Sequence, residues 1–163
     1  MTNILDEINE DLNNIESIEE AIDMAISLEQ QGREFYLEKA SQIKNPGVKD
    51  MYEYLADEEK KHEQYLQQFK KDKQVSPVVE EEKAPDFKVS FSSEFDDRLD
   101  EIGVLLGALR LERKSEDFYK QLAEMTGDME QKQFFKNIAS VERGHYELID
   151  GILDNATGFR MQT

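Results

Sequence analysis

The sequence predicts an all-α fold, a four-helix bundle built from two repeated helical hairpins joined by a long crossover. Three observations carry this. Apolar residues recur at alternating steps of three and four along four long segments, the period of a helix with one buried face. The second half repeats the first with a shift of 83 residues: Ala25/Ala108, Leu28/Leu111, Glu29/Glu112, Phe35/Phe118, Tyr36/Tyr119, Ala40/Ala123, Ala56/Ala139, Glu59/Glu142 and His62/His145 are identical. Between the halves, residues 72–92 hold two of the three prolines, the acidic run Glu80-Glu81-Glu82 and no sustained period.

Residues 1–16 carry Ile4, Leu5, Ile8, Leu12 and Ile15 at helical spacing and read as an amphipathic lead-in. Ser17 and Glu20 form a capping box that opens the first helix, whose stripe is Ile22, Ala25, Ile26, Glu29, Tyr36, Ala40 and Ile43. Asn45-Pro46-Gly47 ends it and starts the second, with Asn45 as N-cap and Pro46 at the first helical position. That helix reaches about Lys71 on the stripe Tyr52, Leu55, Glu59, His62, Leu66 and Phe69, and Lys70, Lys71 and Lys73 oppose the dipole at its C-terminus. A connection as long as 72–92 is uncommon inside a compact domain. About twenty extended residues reach roughly 70 Å, enough to return along a helix of about 40 Å. The third helix is expected over 93–125 with Ile102, Leu105, Leu109, Glu112, Tyr119 and Leu122 inward. Thr126-Gly127-Asp128 turns the chain into a fourth, to about Asn155, with Phe135, Ile138, Glu142, His145, Ile149 and Ile152. The bundle therefore spans 17–155, as hairpins 17–71 and 93–155, with a tail at 156–163.

Composition excludes several functions. The chain has 163 residues, the size of one domain, and no cysteine, which removes thiol catalysis, disulfides and any cysteine-bound iron. A formal net charge of -17 opposes nucleic-acid binding and favours cations. The acidic N-terminus lacks the features of a signal peptide, and no apolar run approaches a membrane span, so the expectation is a cytoplasmic protein with no membrane partner.

The chemistry lies where the stripes are interrupted. Both histidines of the sequence follow a glutamate by three residues, in Glu59-Lys60-Lys61-His62 and Glu142-Arg143-Gly144-His145, and a lone glutamate by 33, Glu29 and Glu112. Each hairpin turn lies midway: Glu29 is 16 residues before Asn45 and Glu59 14 after it, while Glu112 and Glu142 are each 15 from Gly127. At about 1.5 Å per residue, antiparallel helices bring all six groups to one level. Four buried carboxylates need a counter-charge, because one unpaired buried ion already costs several kcal/mol. Two divalent metals supply it, with Glu59 and Glu142 bridging and one terminal Glu and one His on each ion. Such an oxygen-rich set suits iron or manganese and leaves positions open for oxygen or peroxide. Tyr36 and Tyr119 follow their own lone glutamates by seven residues, about 10 Å along the helix, so their hydroxyls reach carboxylates only on neighbouring helices. The competing reading of both is core filling. Glu58 is placed to receive the free ring N–H of His145, a support metal-bound histidines usually have; its counterpart Val141 offers His62 none.

These residues resemble those of the rubrerythrin branch of the ferritin-like superfamily. Leu28-Glu29 with Glu34-Phe35-Tyr36, and Asp57-Glu58-Glu59-Lys60-Lys61-His62, are typical phrases, and the likeness covers residues 20–155. It implies a left-handed ferritin-like bundle with an oxo- or hydroxo-bridged di-iron centre on Glu29, Glu59, His62, Glu112, Glu142 and His145, with manganese or a mixed pair as the alternative. It also implies a homodimer that reduces hydrogen peroxide or oxygen with electrons from an external donor such as a rubredoxin-like protein. The alternatives are ferritin-type iron oxidation and storage, and a bundle whose metal is only structural. Two departures stand out. There is no rubredoxin domain, and Ser115 stands where the family has an additional glutamate, with Glu116 one position further on. The remaining four-Glu, two-His set resembles that of bacterioferritin.

Overall fold

The computed structural model describes residues 18–72 and 84–157; the expected lead-in, the Ser17 cap, the acidic run and the tail beyond 157 lie outside them. Four helices account for most of this: α1 Ile18–Gln42, α2 Pro46–Asp72, α3 Phe95–Met125 and α4 Met129–Thr157. No strand occurs among the described residues.

Local chemistry sets the ends. α1 has Glu19 and Glu20 in its first turn and Lys39 in its last, each opposing the helix dipole. The Asn45 side chain caps α2 as expected, accepting from the backbone N–H of Gly47 at 3.1 Å and Val48 at 3.2 Å. At α4 the carboxylate of Asp128 accepts from the Gln131 N–H at 3.0 Å. α3 begins two residues after the expected Ser93, because Ser92 and Glu101 hold the preceding backbone extended: Glu101 accepts from the Ser92 N–H at 3.1 Å, and the Ser92 hydroxyl accepts from the Glu94 N–H at 3.1 Å.

The stripes face inward. On α2 and α4 every named stripe residue is buried; on α3 Ile102 and Leu109 are half-buried, and Ala108 takes the central place beside Leu105. The helices form antiparallel pairs α1–α2 and α3–α4. Between hairpins, α1 opposes α3, since Tyr36 meets Glu112 while Glu29 meets Tyr119. Likewise α2 opposes α4, with Phe69 stacked on Phe134 at 6.0 Å and Tyr54 edge-on to His145 at 6.3 Å. The core is divided into two apolar clusters. One holds Ile22, Leu66, Phe69, Phe118, Leu122 and Phe135; the other holds Val48, Met51, Tyr52, Leu55, Leu105 and Ile149. The glutamates and histidines form the layer between them.

The described end of the crossover is extended and packed. Phe87, Val89 and Phe91 point the same way at the period of two that extended backbone imposes, and they cover the second cluster. Asn45 Nδ2 donates to the Ser90 carbonyl at 2.8 Å, tying this segment to the first hairpin turn. Gly47 is required there, because a Cβ would lie 3.0 Å from the Val89 Cα and closer still to the Lys88 carbonyl oxygen. Backbone cannot step aside as a flexible side chain can. Gly47→Ala is expected to cost roughly 1–3 kcal/mol by overpacking, lowering the melting temperature by about 2–4 °C per kcal/mol. An unchanged thermal melt would show that the crossover does not press on the turn.

Candidate metal centre

Each helix contributes to one polar layer: α1 gives Glu29, α2 gives Glu59 and His62, α3 gives Glu112, and α4 gives Glu142 and His145. None is more than 4% exposed. Glu29, Glu59, His62 and Glu142 offer ligand atoms that all lie within 4.8 Å of one another, and so do Glu59, Glu112, Glu142 and His145. The two sets share Glu59 and Glu142. Glu29 and His62 lie on one side, Glu112 and His145 on the other, and the imidazole rings stack at 6.1 Å.

The tyrosines reach across the bundle. Tyr36 donates to Glu112 Oε1 and Tyr119 to Glu29 Oε1, each at 2.5 Å. Each hydroxyl satisfies one oxygen of a lone glutamate and leaves the other, Oε2, without a hydrogen bond. Both oxygens of Glu142 and the Nδ1 atoms of His62 and His145 are also buried without one. His62 Nδ1 comes to 2.8 Å from Glu142 Oε1, but not in hydrogen-bonding geometry. Glu58 Oε2 stands 3.9 Å from His145 Nε2, on the ring edge away from the carboxylates. That exceeds a direct hydrogen bond, and the other Glu58 oxygen accepts from Lys61 at 3.2 Å.

The charges divide the glutamates into two kinds. Burial, reinforced by repulsion from Glu142 and Glu29, pushes Glu59 well above the usual carboxylate range; burial and Glu112 do the same to Glu142. For Glu29 burial is opposed by His62, Glu59 and Tyr119, and for Glu112 by Glu142, His145 and Tyr36, so both end below that range. His62 is raised: burial lowers it, but Glu29 and Glu58 outweigh that. Burial and the adjacent carboxylates raise both tyrosines, which remain protonated donors.

Buried donor atoms without hydrogen-bond partners are rare in proteins and need an explanation. Here they converge on two points flanked by two shared carboxylates, an arrangement that fits two cations. Two further features were not drawn from the sequence. Gly32 makes room for Glu59, since a Cβ there would lie 3.2 Å from Glu59 Oε2; a glycine inside a helical stripe was the available sign. Glu116 is buried and engaged elsewhere, with Lys120 at 3.2 Å and Arg143 at 3.7 Å.

Comparison with known proteins agrees with this geometry. No curated protein matches the chain. Among solved structures, a hypothetical protein from Pyrococcus furiosus is 30% identical, with a TM-score of 0.68 over 92% of this chain and 98% of that one. No described helix is long and apolar enough to cross a membrane. The family model described as rubrerythrin matches residues 20–153, which contain every residue of the polar layer. The chain belongs to the rubrerythrin family.

Proposed function

We propose that the layer holds two iron ions and that the protein is a di-iron oxidoreductase, reducing hydrogen peroxide or oxygen with electrons from an external donor. The observation that carries this is the pair of ligand sets sharing Glu59 and Glu142, each completed by one more glutamate and one histidine. Two ferrous ions, when bound, supply the two electrons that peroxide reduction consumes. The chain's own residues do the rest. Tyr36 and Tyr119 fix the terminal glutamates through Oε1 and leave Oε2 for a metal. Nδ1 of each histidine faces the carboxylates, and Glu58 lies 3.9 Å from the far edge of His145. The apolar clusters on both sides exclude water.

Iron oxidation is the second reading, favoured by a specific feature. Ser115 is buried in the place of the additional carboxylate, and Glu116 is held by Lys120 and Arg143, so neither adds a fifth carboxylate to the layer. Stopped-flow oxidation of the di-ferrous protein by each oxidant tests both. Peroxide is expected to oxidise the centre rapidly in a single turnover, with slow continuous turnover until a donor is added. Ser115→Glu is expected to raise the preference for peroxide over oxygen. If neither oxidant acts faster than on free ferrous iron, the metal is structural only.

A further inference from the structure

The repeat gives the bundle two equivalent outer faces, and their charges differ. On the α3–α4 face Glu116 pairs with Lys120 and Arg143. The 83-residue shift carries Glu116 onto Arg33 and Arg143 onto Lys60, so where one hairpin has an acid and a base the other has two cations. Further along, Glu147, Asp150 and Asp154 of α4 correspond to Gln64, Gln67 and Lys71 of α2. In a chain with 37 acids and 20 bases, the first hairpin thus carries a neutral or basic residue at four positions where the second carries an acid.

These positions line a groove of about 490 Å³ between α1 and α2, formed by Arg33, Lys60, Lys71 and three glutamines. Its one acid, Glu63, accepts a hydrogen bond from Gln30 at 2.8 Å. None of the three cations forms an ion pair with another described residue. The groove starts at the height of the metal layer: Lys60 follows Glu59, and Arg33 follows Gly32, where a Cβ would lie 3.2 Å from Glu59 Oε2. From Lys60 to Lys71 it runs roughly 16 Å.

We propose that this groove docks an acidic electron-carrier protein that reduces the centre. The inference rests on the di-iron reading given above. These 163 residues hold no cysteine for an iron–thiolate relay, so the proposal takes the electrons from a carrier outside them. Reducing one peroxide to two waters takes two electrons and two protons, and a one-electron iron–thiolate carrier supplies the electrons in two successive encounters, each oxidising one donor. At 0.15 M salt the Debye length is about 8 Å. A docked acidic partner therefore feels the local cations of the groove rather than the distant charge of the whole chain.

The test uses the full iron-loaded chain with an acidic rubredoxin as probe. Reversing the groove as Arg33→Glu/Lys60→Glu/Lys71→Glu is expected to slow reduction of the oxidised centre by the probe about 10-fold or more at 0.15 M salt, within the range that electrostatic steering supplies. Reduction by a small neutral reductant is expected to stay unchanged. Arg33→Lys/Lys60→Arg/Lys71→Arg, which keeps the charges, is expected to retain the wild-type rate with the probe. Calorimetric binding of the probe to the metal-free chain provides a readout independent of redox chemistry: a centre inert to every reductant defeats the di-iron reading, while binding still decides the surface. A reversal variant that binds and is reduced within twofold of wild type overturns the proposal. So does one that alters only self-association, since a second copy of the chain would then occupy the groove.

Discussion

Replacing both Glu59 and Glu142 with alanine is expected to abolish binding of both metal ions in a protein that stays helical. These residues belong to both ligand sets, so their loss removes two donors from each ion. A ligand at a hundredfold excess over its Kd stabilises a protein by about 2.7 kcal/mol per site, so two sites contribute roughly 5 kcal/mol. At about 2–4 °C per kcal/mol for a chain of this size, metal should raise the melting temperature of the wild type by about 10–20 °C and leave the double variant unmoved. Changing only the terminal pair, Glu29 and Glu112, leaves the bridge in place and should weaken binding without removing it. Calorimetric titration with ferrous or manganous ion decides the matter: tight binding of two metals by the Glu59/Glu142 variant would contradict the assignment.

The fate of the metal-free variant separates charge from packing. Alanine removes the repulsion between Glu59 and Glu142 but also opens a cavity, and the two effects oppose each other. Glu59→Gln/Glu142→Gln keeps the volume while removing the charges. That form should be more stable without metal than the wild type, by at least about 1 kcal/mol on the usual scale for neutralising a buried ion.

Why so much of the centre was legible follows from its cost. A glutamate or histidine on an apolar stripe has to be neutralised, so its place in the sequence already reports a buried partner, and the repeat supplies that partner at a fixed spacing. The tyrosines were readable for a related reason: a seven-residue offset forbids contact with the nearest glutamate, and Tyr36 and Tyr119 do cross to Glu112 and Glu29. What could not be read depends on contacts between elements distant in sequence. Gly32 looks like any helical glycine until the Glu59 side chain lies against it. Phe87, Val89 and Phe91 are too short a run to establish a period, and only the packed structure shows that they cover the second cluster. Arg33 and Lys60 carry no mark of their own in the sequence, because a surface cation has no energetic signature until its neighbours are known. Comparing Arg33 and Lys60 with Glu116 and Arg143 needed the ion pairs of the second hairpin as a reference.

The metal-free bundle should be most stable at mildly acidic pH, and metal should reverse that trend. The carboxyls of Glu59 and Glu142 lie well above their unfolded values, so the folded chain binds more protons than the unfolded one between the two. Their penalty is absent below about pH 4.5, the ordinary carboxylate value, and grows as pH rises towards their folded values. His62, raised by Glu29 and Glu58 against its burial, acts in the same direction: its contribution is full below the unfolded histidine value of about 6.5 and is lost as pH rises through the folded one. Glu29 and Glu112 are lowered and act oppositely, but only below the ordinary carboxylate range, where their contribution is lost as pH falls through their folded values. Between pH 5 and 7.5 the first group therefore dominates, and the melting temperature without metal should fall as pH rises. With metal bound, the carboxylates and Nδ1 atoms must be unprotonated to bind it, so acid competes with the ion and the melting temperature should rise over the same interval. Scanning calorimetry of both forms across that range provides the measurement. Parallel curves would mean that the buried glutamates are not the groups that hold the metal.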